Sequence, residues 1–183
     1  MAIPQPLLLL CLLVSIAFPS HPRAVGSGLA PASSSPFDAA LATLQTQIGH
    51  SFRAPDLLRR AMTHASYSRE NGRALAVLGL AAAQSAAAIR SLSADHDATA
   101  SAVARRAREA ASEAACAAAG TSVGIPAIVR VAGGVNASAD PVICGAFRAL
   151  IGAVAVDANS TDTAGEVFWR LHVLTAASAT AAM

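Results

Sequence analysis

Lysine is absent from this chain: all 13 basic residues are arginine, set against 11 acids for a formal net charge of +2 over 183 residues. Alanine and glycine are abundant alongside, a bias that GC-rich coding produces unaided, so the arginine-only pattern is given no functional weight. Charge is scarce, at 13%, while 54% of residues are hydrophobic. That balance excludes a disordered or fibrous chain, and a net charge of +2 does not by itself argue for nucleic-acid binding. Aromatics are only 4%, with one Trp and one Tyr. A core with few rings must be built from aliphatic residues and alanine, which favours closely packed helices over a β-sandwich. The length suits one domain. The expected fold class is all-α.

What is present begins with a continuous apolar run, Leu7 to Phe18, read LLLLCLLVSIAF. It is short of the roughly 20 residues a membrane span takes and fits the core of a secretory leader, with Ala24 and Gly26 offering small residues for cleavage. It lacks a positive n-region. The competing readings are a mitochondrial or plastid targeting segment and a buried N-terminal helix. The expected layout is a signal peptide over 1–26, a Pro/Ser linker over 27–36, a folded domain over 37–174 and a disordered tail over 175–183. No membrane span is expected in the mature form. Two sequons, Asn136-Ala137-Ser138 and Asn159-Ser160-Thr161, fit a secretory route. So do the two cysteines that remain once Cys11 leaves with the leader: Cys116 and Cys144 are an even pair that can bridge. Two small buried thiols are the other reading.

Along the domain, Asp38 is expected to cap a helix carrying Leu41, Leu44 and Ile48, with Gly49 just past its end. Asp56 to Met62 reads as a second short helix, and Thr63 to Tyr67 as the turn that closes it. Asn71 to Arg90 carries Leu75, Leu78, Leu80, Ala82 and Ala83 and reads as a core helix broken by Ser91 to His96. Thr99 to Ala119 is expected as one Ala-rich helix ended by Gly120. Val123 to Val131 suits a short extended piece or a helix start. Pro141 to Val156, with Phe147, Leu150, Ile151 and Val154 on one stripe, and Ala164 to Leu174 complete the set.

Two segments carry a family resemblance. The first, LQTQIGHSFRAPDLLRRAMTHASYSREN, resembles the opening of the ribonuclease III domain, with Gly49, Phe52, Leu57, Leu58, Ala61, Thr63, His64, Ser66, Tyr67 and Asn71 in place. The second, CGAFRALIGAVAVD over Cys144 to Asp157, resembles that family's later helix motif. They come in the right order, and the match runs from about Leu41 to His172. It is strongest to the plant group of small ribonuclease-III-like proteins that join a hydrophobic leader to one such domain.

The resemblance implies a helical nuclease domain whose carboxylates bind Mg²⁺, activating water for phosphodiester hydrolysis. Two acids would lie at i, i+4 on the first motif helix and two at i, i+3 on the second, each pair on one face. Carried across, those positions are Ala76, Leu80, Gly145 and Arg148. None can ligate a metal. Glu70 precedes the helix, Asp157 matches a structural turn position, and Glu109 with Glu113 reads as a solvated face, so no substitute site is expected. The resulting expectation is a non-catalytic domain that binds RNA or protein, without metal or cofactor. The rivals are an active Mg²⁺-dependent endoribonuclease on double-stranded or structured RNA, and a secretory glycoprotein with an interaction role.

His64 is read as holding its turn rather than as a base. Arg59, Arg60, Arg105, Arg106 and Arg108 are candidate RNA contacts, against the plainer reading of solvated faces. Trp169 beside Phe168 could stack on bases, although one of the two should anchor the core. No separate double-stranded-RNA-binding domain is expected after this one, and any grip on a duplex is expected to be weak. The resemblance also implies a homodimer through the Asn71 to Arg90 helix, with Val77 at the knob position.

Overall fold

A computed structural model of the chain describes residues 35–181, with side chains through 173. The expected leader and all but the end of the linker lie outside the described residues. Among those described there are eight helices, α1 (Pro36–Ile48), α2 (Pro55–Ala61), α3 (Arg73–Ala94), α4 (Ala100–Ala110), α5 (Glu113–Ser122), α6 (Ile125–Ile128), α7 (Asp140–Ala158) and α8 (Thr161–Ala181), and no strand beyond one isolated Thr63–Arg130 bridge. The all-α expectation holds.

α7 is the centre. Its residues Phe147, Leu150, Ile151 and Val154 are all fully buried, and α3, α5, α2 and α8 pack around it. α1 buries Leu41, Leu44 and Ile48, and Gly49 ends it in the left-handed conformation at φ 63°, a position glycine occupies without a Cβ penalty.

Several boundaries differ from the sequence reading. The N-cap of α1 is Ser35, whose hydroxyl accepts from the Asp38 amide at 3.2 Å and donates to its carboxylate at 2.7 Å; Asp38 is the reciprocal partner three residues in. The expected Thr99 to Ala119 helix is two helices. Ala111 ends α4, and Ser112 caps α5 by accepting from Ala115 N at 3.3 Å. Serine's readiness to bond the backbone outweighed the surrounding alanine propensity. Gly120 lies inside α5 and is no terminator: a Cβ there would meet Ile143 Cγ2 at 2.6 Å. α3 runs on through Ser91 to Ala94. Val123 to Val131 resolves into both readings at once, a four-residue α6 followed by extended Val129 and Arg130. α8 continues past Leu174 to Ala181, through most of the expected tail.

α3 and α7 are both long and apolar enough to cross a membrane by length and composition. α7 meets that test as the domain's buried core. α3 does not have that cover: only 28% of its most apolar window is buried.

Candidate functional site

The first family motif ends and the second begins at one cleft of about 350 Å³, where the start of α3, the start of α7 and the turn after α2 come together. The turn is held from inside. Thr63 Oγ1 donates to Arg59 O at 2.7 Å and accepts from Arg130 Nη2 at 2.6 Å, while Gly72 N donates to Thr63 O at 3.1 Å. Asn71 closes it, its Nδ2 donating to Ser68 O and Arg69 O and its Oδ1 accepting from Arg73 N, all within 3.0 Å. His64 Nδ1 accepts from Ser66 N at 3.1 Å and its own amide donates to Arg130 O at 2.9 Å. His64 therefore holds the turn, as expected, with no carboxylate beside it.

Ala76 and Gly145 line this cleft together with Ala61, Ala146, Ala149 and Val142. The polar groups at its wall are Thr63, His64 and Arg73; none is an acid. Leu80 is partly buried against the core. Arg148 turns away to donate from Nη2 to Ala111 O at 2.7 Å, placing its cation at the C-terminal end of α4, where the helix dipole favours positive charge. Its Nε is buried without a hydrogen-bond partner. Among the described residues no group of three or more His, Cys, Asp or Glu is placed to hold a metal ion.

The candidate substitutes sit elsewhere. Glu70 is exposed on the turn. Glu109 pairs with Arg105 at 2.9 Å on α4, and Glu113 starts the next helix, so the two acids share no helical face. Asp157 is buried at the end of α7, accepting from Ala54 N at 2.9 Å, Arg53 N at 3.2 Å and His50 Nε2 at 3.0 Å. Burial opposes its ionisation, but these donors outweigh it and hold the carboxyl below the usual carboxylate range. It is a structural turn residue.

The five candidate RNA arginines divide between α2 and α4 and line no part of the cleft. Arg59 is tied to Asp38, Arg105 to Glu109, and Arg106 donates to Ser91 Oγ at 2.9 Å; Arg60 and Arg108 are exposed. Phe168 is the core anchor, fully buried. Trp169 is half-buried, its Nε1 donating to Ala86 O at 3.4 Å and its ring covered by Arg90 at 4.5 Å. The sequence reading missed Arg130, whose guanidinium lies over Phe37 at 4.1 Å and Tyr67 at 4.9 Å while bonding Thr63. No local pattern flags it, because its partners lie far away in the chain.

Cys116 of α5 and Cys144 of α7 meet as a buried pair with their sulfurs joined and Cα atoms 4.9 Å apart. That tie fixes α7 at the residue before Gly145. Asn136 and Asn159 are both exposed.

No family model matches the chain. Its fold is similar to that of the nuclease domain of ribonuclease III from Campylobacter jejuni. One solved structure of that domain gives a TM-score of 0.68 at 18% identity over 71% of this chain and 94% of that one. A second gives 0.64 at 19% over 72% and 92%. The class is thus a ribonuclease-III-like helical domain. Protein NUCLEAR FUSION DEFECTIVE 2 of Arabidopsis thaliana is 42% identical over 174 residues, 91% of each chain. The chain belongs to the NUCLEAR FUSION DEFECTIVE 2 family.

Proposed function

We propose that this protein is a non-catalytic ribonuclease-III-like binding domain. The carrying observation is the cleft where both family motifs meet: Ala76 and Gly145 stand where metal ligands are required, and its charged or ionisable wall groups are Arg73 and His64. A site that concentrates Mg²⁺ and activates water needs several carboxylate oxygens converging within about 2.1 Å of the ion. Here there are none, and Arg148 is committed to Ala111 O at the end of α4.

The partner best supported is a second copy of this chain. Ala74, Val77, Ala81, Ser85 and Leu92 form an exposed stripe along α3, with Val77 73% and Leu92 43% exposed. Stripes of this period, left uncovered in the monomer, are seams for another helix. The arginines offer weaker support for RNA, because three of the five already have intramolecular partners. The similarity of fold to a ribonuclease III nuclease domain favours a second reading, an endoribonuclease of structured RNA.

Incubation of the purified protein with labelled duplex RNA and Mg²⁺ separates the two. No cleavage is expected, and cleavage abolished by EDTA overturns the first reading. Sedimentation of the wild type against Val77→Arg tests the assembly: a dimer that becomes monomeric supports it, and a wild type that is monomeric at all concentrations sinks it.

A further inference from the structure

We propose that Asn136 carries an N-linked oligosaccharide and that Asn159, although its sequon ends in threonine, does not. The distinction comes from local conformation. Asn136 lies in the exposed loop between α6 and α7, where its Oδ1 accepts from Ser138 N at 2.9 Å, drawing the first and third residues of the sequon into one compact turn. Gly133 and Gly134 lead into it, and a Cβ on either would meet nothing within 4 Å. The backbone at Gly133 and Gly134 is therefore open on its outer side, and Asn136 itself is exposed although Val135 and Ala137 on either side pack against the core, which leaves room for a bulky sugar on the asparagine.

Asn159 is exposed as well, but its sequon is folded into a joint. It ends α7 in the left-handed conformation at φ 51°, the one positive φ among the described non-glycine residues. Its amide donates to Val156 O at 3.2 Å, and Ser160 N donates to Ala155 O at 3.0 Å. Ser160 Oγ caps Thr163 N at 3.2 Å, and Thr161 is already the first residue of α8. Presenting this sequon to a transferase means undoing the cap of one helix and the start of the next. Its surroundings are also occupied: Asn159 shares a shallow surface hollow with Leu78 of α3, beside exposed Val77.

The chemistry is a group transfer from a lipid-pyrophosphate-linked oligosaccharide. The Asn136 Nδ2 forms a bond to the anomeric carbon of the first sugar. The bond from that carbon to the pyrophosphate oxygen breaks, its electron pair leaves with the lipid pyrophosphate, and one amide proton passes to a base of the transferase. The buried pairing of Cys116 with Cys144 agrees with passage through the same oxidising compartment. The inference does not depend on self-association through α3.

The test is expression of the full chain, leader included, in eukaryotic cells with a working secretory pathway, followed by mass measurement before and after an N-glycan-specific glycosidase. One glycan is expected on the wild type and on Asn159→Gln, and none on Asn136→Gln or Ser138→Ala. Ser138→Ala leaves the acceptor asparagine in place, so its loss of sugar reports the sequon and not a damaged loop. A wild type with no glycosidase-sensitive mass, a shift kept in Asn136→Gln and lost in Asn159→Gln, or two glycans on the wild type overturns the proposal.

Discussion

Gly79 of α3 and Gly152 of α7 lie backbone against backbone at the centre of the domain. A Cβ on Gly79 would stand 2.8 Å from the Gly152 nitrogen, and one on Gly152 3.0 Å from the Gly79 nitrogen. They stand in the Leu78-Gly79 step of α3 and the Ile151-Gly152 step of α7, and they let the helices cross without side chains between them. The atoms in the way are backbone and cannot swing aside. Gly79→Ala and Gly152→Ala should each cost about 3 kcal/mol, lowering the melting temperature by about 10 °C. Gly133→Ala, at a position where a Cβ meets nothing within 4 Å, should leave it nearly unchanged.

Asp157 fastens the segment between α1 and α2 to the end of α7 through the Ala54 and Arg53 amides and His50. Removing the carboxylate leaves two backbone donors without their partner, so Asp157→Ala should destabilise by about 3 kcal/mol in chemical denaturation. Its folded pKa is lowered from 3.8, so its stabilisation is present above 3.8 and lost as pH falls through the folded value. The wild type should lose stability in that acid range, and Asp157→Ala should show a flatter profile there.

The legible parts of the fold were those written in local spacing. The stripe of Phe147, Leu150, Ile151 and Val154 repeats at helical period, and all four residues are buried as that period requires. Gly49 marked a helix end because its left-handed φ is a local property. The break between α4 and α5 was hidden because Ser112 interrupts a stretch whose alanines all favour helix; what decides it is a cap bond of 3.3 Å. In the site, the motif residues Thr63, His64, Ser66 and Asn71 proved to be one hydrogen-bonded turn. Arg130 escaped notice because it reaches Thr63 across 67 residues. The asymmetry between Asn136 and Asn159 was equally hidden, since a sequon says nothing of the backbone angles that hold it.

His172 sits in the aromatic corner of α8, its ring centroid 4.1 Å from Phe168 and 5.9 Å from Phe147, with Nε2 3.1 Å from Ala110 O. Burial, the largest influence, pushes its pKa below the usual 6.5, although the carbonyls of Ala110 and Phe168 pull the other way. The folded state therefore prefers neutral imidazole. Stability from this residue is full above pH 6.5 and is lost as pH falls through the folded pKa. His172→Phe should flatten the stability profile on the acid side of 6.5, measured by urea unfolding at stepped pH.

If the cleft lacks only its ligands, returning them should return the metal. Ala76→Glu and Gly145→Asp place carboxyls on residues that line the cleft. Leu80→Asp and Arg148→Glu supply the second member of each pair, one turn further along the same helix. The fourfold variant should bind Mg²⁺ in titration calorimetry and gain thermal stability that EDTA removes, by about 2.7 kcal/mol at a hundredfold excess over Kd. The wild type should do neither. Two of the substitutions carry a structural cost: Leu80→Asp removes a side chain packed against the core, and Arg148→Glu removes the donor to Ala111 O at the end of α4. Those losses should appear as lower stability in the metal-free variant, separate from the metal-dependent gain. A fourfold variant that folds but binds no Mg²⁺ would mean that the cleft itself, and not only its side chains, has departed from a metal-binding shape.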